Sequence, residues 1–203
     1  RDIPFVFLGN PGGDDNICWV DGDNKAGTEM AVGHLLSLGH TRIACISGPP
    51  DQTATFRRLD GYRAALERHL IPYSEALVAQ GDFTEPGGYR AMAELLDRRL
   101  DVTAVFASND MMAIGAIKAI NQRGLRVPED VAVAGFDGIV LGSYVTPALT
   151  TVTQPIYRLG QAAAELLIKL VNRETPEERH VMFPLTLTVR ESTGHRLGGS
   201  PGP

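Results

Sequence analysis

From about Asp23 to Asp137 the chain alternates apolar residues at three- and four-residue spacing with short, continuous apolar runs. The first rhythm is that of a helix with one buried face and the second that of a strand buried on both faces. Their order predicts βαβ units feeding a parallel sheet. Helices are expected at about 24–38, 54–69, 84–97 and 110–123, and strands at 43–47, 77–80, 102–107 and 132–136. Asp23 or Asn24 is placed to cap the first helix, which presents Met30, Leu35 and Leu38 to the core and stops at Gly39. Thr84 and Asn109 are placed to cap the third and fourth, and Gly124 closes the fourth. On that last helix Met112, Ile114, Ile117 and Ile120 cannot all face one sheet, so part of its apolar surface is expected to be free for a partner.

Beyond Asp137 the rhythm changes. Residues 138–147 read as irregular loop, 149–153 as a strand, and Pro155 as a crossover point. A long helix at about 156–172 carries Leu159, Ala163, Leu166, Leu167 and Leu170 at helical spacing, and two short strands, 180–183 and 185–189, are separated by Pro184. No internal repeat or low-complexity segment precedes a Gly/Pro-rich tail from Gly198.

Composition narrows the function. With 203 residues, 43% hydrophobic and 21% charged, the chain can bury a substantial core. No apolar run approaches the roughly 18 to 20 residues of a membrane helix. Residues 1–4 lack the pattern of a signal peptide, and without an initiator Met the chain is expected to start within a longer protein. A net charge of −5 argues against this segment gripping nucleic acid by itself, since that needs clustered Lys and Arg. Cys18 and Cys45 are too few for a disulfide framework and read as buried free thiols in a reducing compartment.

Several patterns invite chemistry and fail. Residues 21–27 superficially suit a calcium loop, but Lys25 and Ala26 replace an oxygen ligand and the required glycine, and Val32 stands where a bidentate glutamate belongs. The five histidines show no metal spacing, and there is no Gly-x-Ser-x-Gly elbow, Walker loop or Cys-x-x-Cys. The glycine-rich turn 9–13 is followed by Asp14 and Asp15, which would repel phosphate.

What stands out is a set of residues at predicted strand ends, where ligands bind in open α/β sheets. Asp137 ends the run Val131-Ala132-Val133-Ala134-Gly135-Phe136, though Asp-Gly also suits a plain turn. Arg58 lies in the first turns of a helix, where an arginine is ordinarily solvated and gains nothing from the helix dipole. Asn109 has a sufficient role as a cap, and Phe83 and Trp19 belong to a residue class more often buried than ligand-facing.

Three stretches decide between these readings: Leu38-Gly39-His40-Thr41-Arg42-Ile43-Ala44, Val127 to Asp137, and Leu149-Thr150-Thr151-Val152-Thr153-Gln154-Pro155. Together they closely resemble the effector-binding half of the lactose-repressor (LacI/GalR) family of bacterial transcription regulators, over nearly all of residues 3–194. That resemblance implies two Rossmann-like lobes of the periplasmic-binding-protein-like type, built on parallel sheets, crossed by three strands and holding a ligand between them. It assigns 1–22 and 155–184 to an incomplete N-terminal lobe whose last strand is 3–8. Residues 23–154 and 185–194 fall to a C-terminal lobe, and 195–203 to a flexible tail.

The resemblance also implies roles. Asp137 accepts from a ligand hydroxyl, with Gly138 in place of the family's usual second aspartate. Arg58 matches the family's Arg-Leu-x-Gly motif and implies a bidentate clamp on paired hydroxyls or a carboxylate, whereas Arg57 matches nothing and faces solvent. Asn109 or its neighbour Asp110 reaches the cleft. Phe83 and Trp19 offer flat faces to a sugar or a base, and Gln52 stands where purine-sensing relatives carry a basic residue, which shifts the expected ligand toward a sugar.

The leading expectation is therefore a cytoplasmic effector sensor, with no cofactor, dimeric in the full-length protein and reaching operator DNA through a headpiece outside this chain. Removing Asp137 or Arg58 is expected to weaken binding with little loss of stability. The alternative is a solute-binding protein of a sugar transport system, which an upstream signal peptide would favour. An enzyme on a similar fold lacks any nucleophile-base or metal constellation.

Overall fold

The computed structural model describes residues 3–13 and 16–194, so the expected tail at 195–203 lies outside the described residues. In chain order the elements are β1 (Phe7–Leu8), β2 (Trp19–Gly22), α1 (Asn24–Ser37), β3 (Ile43–Ser47), α2 (Thr53–Arg68), β4 (Val78–Gln80), α3 (Glu85–Asp97), β5 (Ala104–Ala107), α4 (Asp110–Gln122), β6 (Ala132–Asp137), β7 (Thr150–Thr153), α5 (Ile156–Val171), β8 (His180–Phe183) and β9 (Thr186–Thr188). They form two sheets, β1-β2-β8 and β4-β3-β5-β6-β7-β9. Every pairing is parallel except β7 with β9, which runs antiparallel with Val152 opposite Leu187. The chain crosses between the sheets after Gly22, at Gln154–Pro155 and between β8 and β9.

Helices cover both faces of the larger sheet, as crossovers between parallel strands require. On one side α1 and α2 bury Val32, Leu35, Tyr62 and Leu66 against Ile43, Cys45, Phe106 and Phe136. On the other, α3 and α4 bury Met92, Leu95, Met112 and Ile120 against Ile46, Val105 and Val133. Alternating strand residues feed the two cores. The smaller sheet packs one face on α5 through Cys18, Val20, Leu159 and Leu166. Both cysteines are buried and free.

The caps form as the side chains dictate. Asp23 accepts from the Ala26 N–H, Thr84 from Gly87 and Asn109 from Met112, each satisfying an N–H that the first helical turn leaves without a carbonyl.

Several expectations give way. Met30 is exposed, because α1 turns Ala31, Val32 and Leu35 inward with Gly27 and Thr28. Leu167 is likewise only partly covered, since α5 seats Leu159 and Leu166 instead. Residues 3–6 are not strand: backbone pairing begins only where the Phe7 N–H reaches the Cys18 carbonyl at 2.9 Å, and Ile3 and Phe5 stay exposed. On α4, Met112, Ile117 and Ile120 are all buried because the helix lies between the sheet and α3, which leaves Ile114 half-buried. No described helix is long and apolar enough to cross a membrane.

Candidate functional site

Strands β3, β4, β5 and β6 run parallel, so Gly48, Phe83, Asn109 and Asp137 emerge along a common edge. Arg58 arrives there from α2 because α1 and α2 pack backbone to backbone at Gly61, where a Cβ would collide with the Lys25 carbonyl. That approach sets the first turn of α1 beside Arg58, and Nε donates to Asn24 Oδ1 at 2.8 Å. One terminal nitrogen donates to the Ser108 carbonyl, and the other lies 3.3 Å from Asp137 Oδ1. The guanidinium stacks on the Phe136 ring, 3.8 Å from its centroid, so its flat face rests on carbon while its edge makes directed polar contacts.

Asp137 occupies a backbone conformation that side chains rarely adopt, φ 113°, and is followed by Gly138 at φ 75°. Holding a residue there requires the surroundings to over-determine it. Here they do: Gln154 Nε2 donates to Asp137 Oδ1 at 2.9 Å, and the Gly138 N–H reaches Thr151 Oγ1 at 3.3 Å. Asp137 Oδ2 accepts no hydrogen bond from the described residues, which leaves an acceptor at the mouth of the site.

Burial pushes the Asp137 carboxyl above its ordinary range, opposed by Arg58 and then Gln154. Burial also lowers Arg58, opposed chiefly by Asp137. A guanidinium stays protonated in proteins, so the two form an ion pair, each partner offsetting the other's desolvation.

Beside this pair lies a cavity of about 570 Å³ whose walls come from the smaller sheet, from the helices α1 and α2 packed on the larger sheet, and from the crossover into α5. Phe7, Leu8, Val20 and Asp21 line it from the smaller sheet, Asn24, Gln52 and Arg58 from α1 and α2, and Gln154, Ile156 and Leu159 from the crossover and α5. A second opening of about 620 Å³ shares Gln154 and Ile156 and is lined by Asp137. Asp21 anchors the wall by accepting from the Asn10 and Gly22 N–H groups and from Asn24 Nδ2. Asn24 therefore relays between Asp21 and Arg58.

Of the residues singled out from sequence, Arg58 and Gln52 line the cavity and Asp137 pairs with Arg58 at its edge. The others sit differently. Asn109 spends its oxygen on the cap and its Nδ2 on the Phe83 carbonyl at 2.9 Å, so it positions Phe83 rather than facing the cavity. Phe83 itself, at φ 65°, packs its ring over Gly48 outside the cavity wall. Asp110 is fully buried, accepts from Thr151 Oγ1 at 2.5 Å and from the Ile139 N–H at 2.8 Å, and is turned into the fold. The missing Cβ of Gly135 makes room for that carboxylate. Trp19 stacks on His180, 4.9 Å between centroids, and does not line the cavity.

Asn24, Asp21 and Gln154 were not singled out as site residues. Their signals were present in Asp21-Gly22-Asp23-Asn24 and Thr153-Gln154-Pro155, but an aspartate and amides beside a helix cap or a proline read first as turn chemistry. Among the described residues no cluster of His, Cys, Asp or Glu could hold a metal ion.

The model of the periplasmic binding protein-like domain matches residues 32–193. The HTH-type transcriptional regulator CelR of Thermobifida fusca is 43% identical over 192 residues, 94% of this chain and 56% of that protein. The ribose operon repressor of Escherichia coli (strain K12) is 40% identical over 190 residues, 94% of this chain and 58% of the repressor. In structure, the chain is similar to the transcriptional regulator CelR–cellobiose complex, with a TM-score of 0.90 and 43% identity over 93% of this chain and 58% of that one. The chain thus spans a little over half the length of the curated relatives it matches. With the motifs, the fold and these relatives in agreement, the chain belongs to the periplasmic-binding-protein-like family, in its LacI/GalR branch of transcription regulators, and carries the effector-binding fold of that branch.

Proposed function

We propose that this chain is the effector sensor of a LacI-type transcription regulator and binds a small neutral sugar between its two sheets. The observation that carries the reading is the Arg58–Asp137 pair, 3.3 Å apart, with Arg58 lining a cavity between the smaller sheet and the helices packed on the larger one and Asp137 lining the opening beside it. Asp137 Oδ2 is a free acceptor for a sugar hydroxyl, and the remaining N–H groups of Arg58 are donors beside it. Asp21 and Asp51 also line the cavity, so the wall carries more negative than positive charge and disfavours anionic sugars.

On this reading the sheet β1-β2-β8 with α5 belongs to one lobe, and the larger sheet with β9 to the other. A ligand that touches both favours one lobe arrangement over another, and that differential affinity shifts the population. The coupling acts on operator DNA through a part of the protein outside this chain, in a homodimer, in the cytoplasm, and with no catalysis. That the relatives are named as regulators favours this over the transport reading.

A thermal-shift panel of ribose, glucose, cellobiose and their phosphorylated or oxidised counterparts tests it. A neutral sugar should raise the melting temperature in a concentration-dependent manner, as any ligand of the folded state does, and the anionic ones should not. Stabilisation by the anionic members alone would contradict the reading.

A further inference from the structure

Thr55 stands in the first turn of α2, three residues ahead of Arg58 and so on the same helix face. It is 4% exposed, and its hydroxyl oxygen has no hydrogen-bond partner among the described residues. A buried polar atom without a partner is uncommon in native proteins and requires an explanation. Its surroundings are specific. A Cβ on Gly48, just past β3, would collide with Thr55 Oγ1 and with the edge of the Phe83 ring, so both converge on one side of that glycine. The Phe83 backbone is in the left-handed region at φ 65°, with its carbonyl held by Asn109 Nδ2 at 2.9 Å. Asn109 in turn follows Ser108, whose carbonyl takes a hydrogen bond from Arg58. The orphan hydroxyl makes no bond to that chain of contacts, but lies three residues along α2 from the Arg58–Asp137 pair and against an aromatic ring whose backbone the chain of contacts fixes.

We infer that Thr55 Oγ1 is a specificity-determining contact of this site, completed by a ligand hydroxyl that reaches it when the Phe83 ring rotates aside. A hydroxyl both donates and accepts, so its natural complement is another hydroxyl, whereas the apolar ring beside it suits the C–H face of the same sugar. A ligand lacking a hydroxyl at that point would leave Thr55 unsatisfied, and sites built to pair a hydroxyl reject such analogues strongly. The inference rests on the sugar-sensing reading.

The test compares wild type with the isosteric Thr55→Val and with Thr55→Ser, first without ligand and then with whichever of ribose, glucose or cellobiose binds wild type. Ligand-free Thr55→Val should melt above wild type, because the change removes a polar atom that has no partner. Its Kd for the sugar should rise about tenfold or more, while Thr55→Ser stays close to wild type. A lower melting temperature for ligand-free Thr55→Val would mean that the hydroxyl is already satisfied within the fold. An unchanged Kd would mean that the sugar does not use it. Either result overturns the inference. If no sugar in the panel binds wild type, the sugar reading fails by itself, and the ligand-free comparison still decides: a higher melting temperature supports the orphan hydroxyl, and an equal or lower one overturns it.

Discussion

Asp110 and Arg58 are both buried charged residues beside Asp137, yet they do different work. Asp110 ties Thr151 to the turn after Asp137, and burial raises its carboxyl to about 6, opposed by the Thr151 and Ile139 hydrogen bonds. A carboxyl whose folded pKa lies above its unfolded value binds its proton more tightly when folded. Its stabilising contribution is therefore full below about pH 4 and is lost as pH rises through about 6. Comparing urea denaturation of wild type and Asp110→Asn from pH 4 to 7 should show the stability difference changing across that window, by an amount on the order of 3 kcal/mol. A pH-independent difference would mean that Asp110 keeps an ordinary pKa.

For Arg58 the expectation of little stability loss on removal needs revision. Arg58 is 6% exposed, with its guanidinium over Phe136 and bonded to Asn24 and Ser108. Arg58→Ala strands Asp137 and opens space over the ring, so chemical denaturation should show a loss of about 3 kcal/mol or more. Arg58 and Asp137 were legible in the sequence because their stretches resemble the LacI/GalR motifs; taken alone, Asp-Gly suits a plain turn and an arginine in the first turns of a helix is ordinarily solvated. Asn24 and Gln154 were not, since an amide beside a cap or a proline is ordinary, and only the packing of α1 on α2 turns Asn24 toward the guanidinium.

At the level of elements, helix pairing is set by glycines. In α3 and α4 the helices touch backbone to backbone, and a Cβ on Gly88 would collide with Met112 backbone atoms, as one on Gly115 would with the Glu85 carbonyl. Gly115→Ala should therefore cost about 1 to 3 kcal/mol by forcing the helices apart. Gly33 in α1 is the opposite case, with nothing within 4 Å of an added Cβ. Gly33→Ala should add about 0.5 to 1 kcal/mol by restricting the unfolded chain and favouring helix. Thermal melts of the two variants should move in opposite directions; parallel shifts would refute the packing account. The helices and central strands were legible from periodicity and caps. Which glycines mark close approaches was not, because Gly33 and Gly115 look alike in sequence and differ only in what the neighbouring helix places above them.

On the scale of the whole molecule, the smaller sheet faces the helices of the larger one across the cavity, and the chain passes between the sheets at Gly22, Gln154 and Pro184. The alternation of elements made the larger sheet legible. The extent of β1 and the antiparallel β9 were not, because both depend on which neighbour supplies hydrogen bonds rather than on the residues' own preferences. With a net charge of −5, this chain alone should not retain operator DNA in a gel-shift assay at physiological salt, and sequence-specific retention would show that DNA contacts lie within it.

If the Arg58–Asp137 pair holds a ligand hydroxyl, isothermal titration with the same neutral sugar should separate wild type from Asp137→Ala. Losing a charged hydrogen-bond partner should weaken binding by about 1.5 to 3 kcal/mol, roughly ten- to a hundredfold in Kd, with the variant still folded by circular dichroism. Equal affinity in the two proteins would contradict the claim and leave Asp137 as no more than a strained turn at the end of β6.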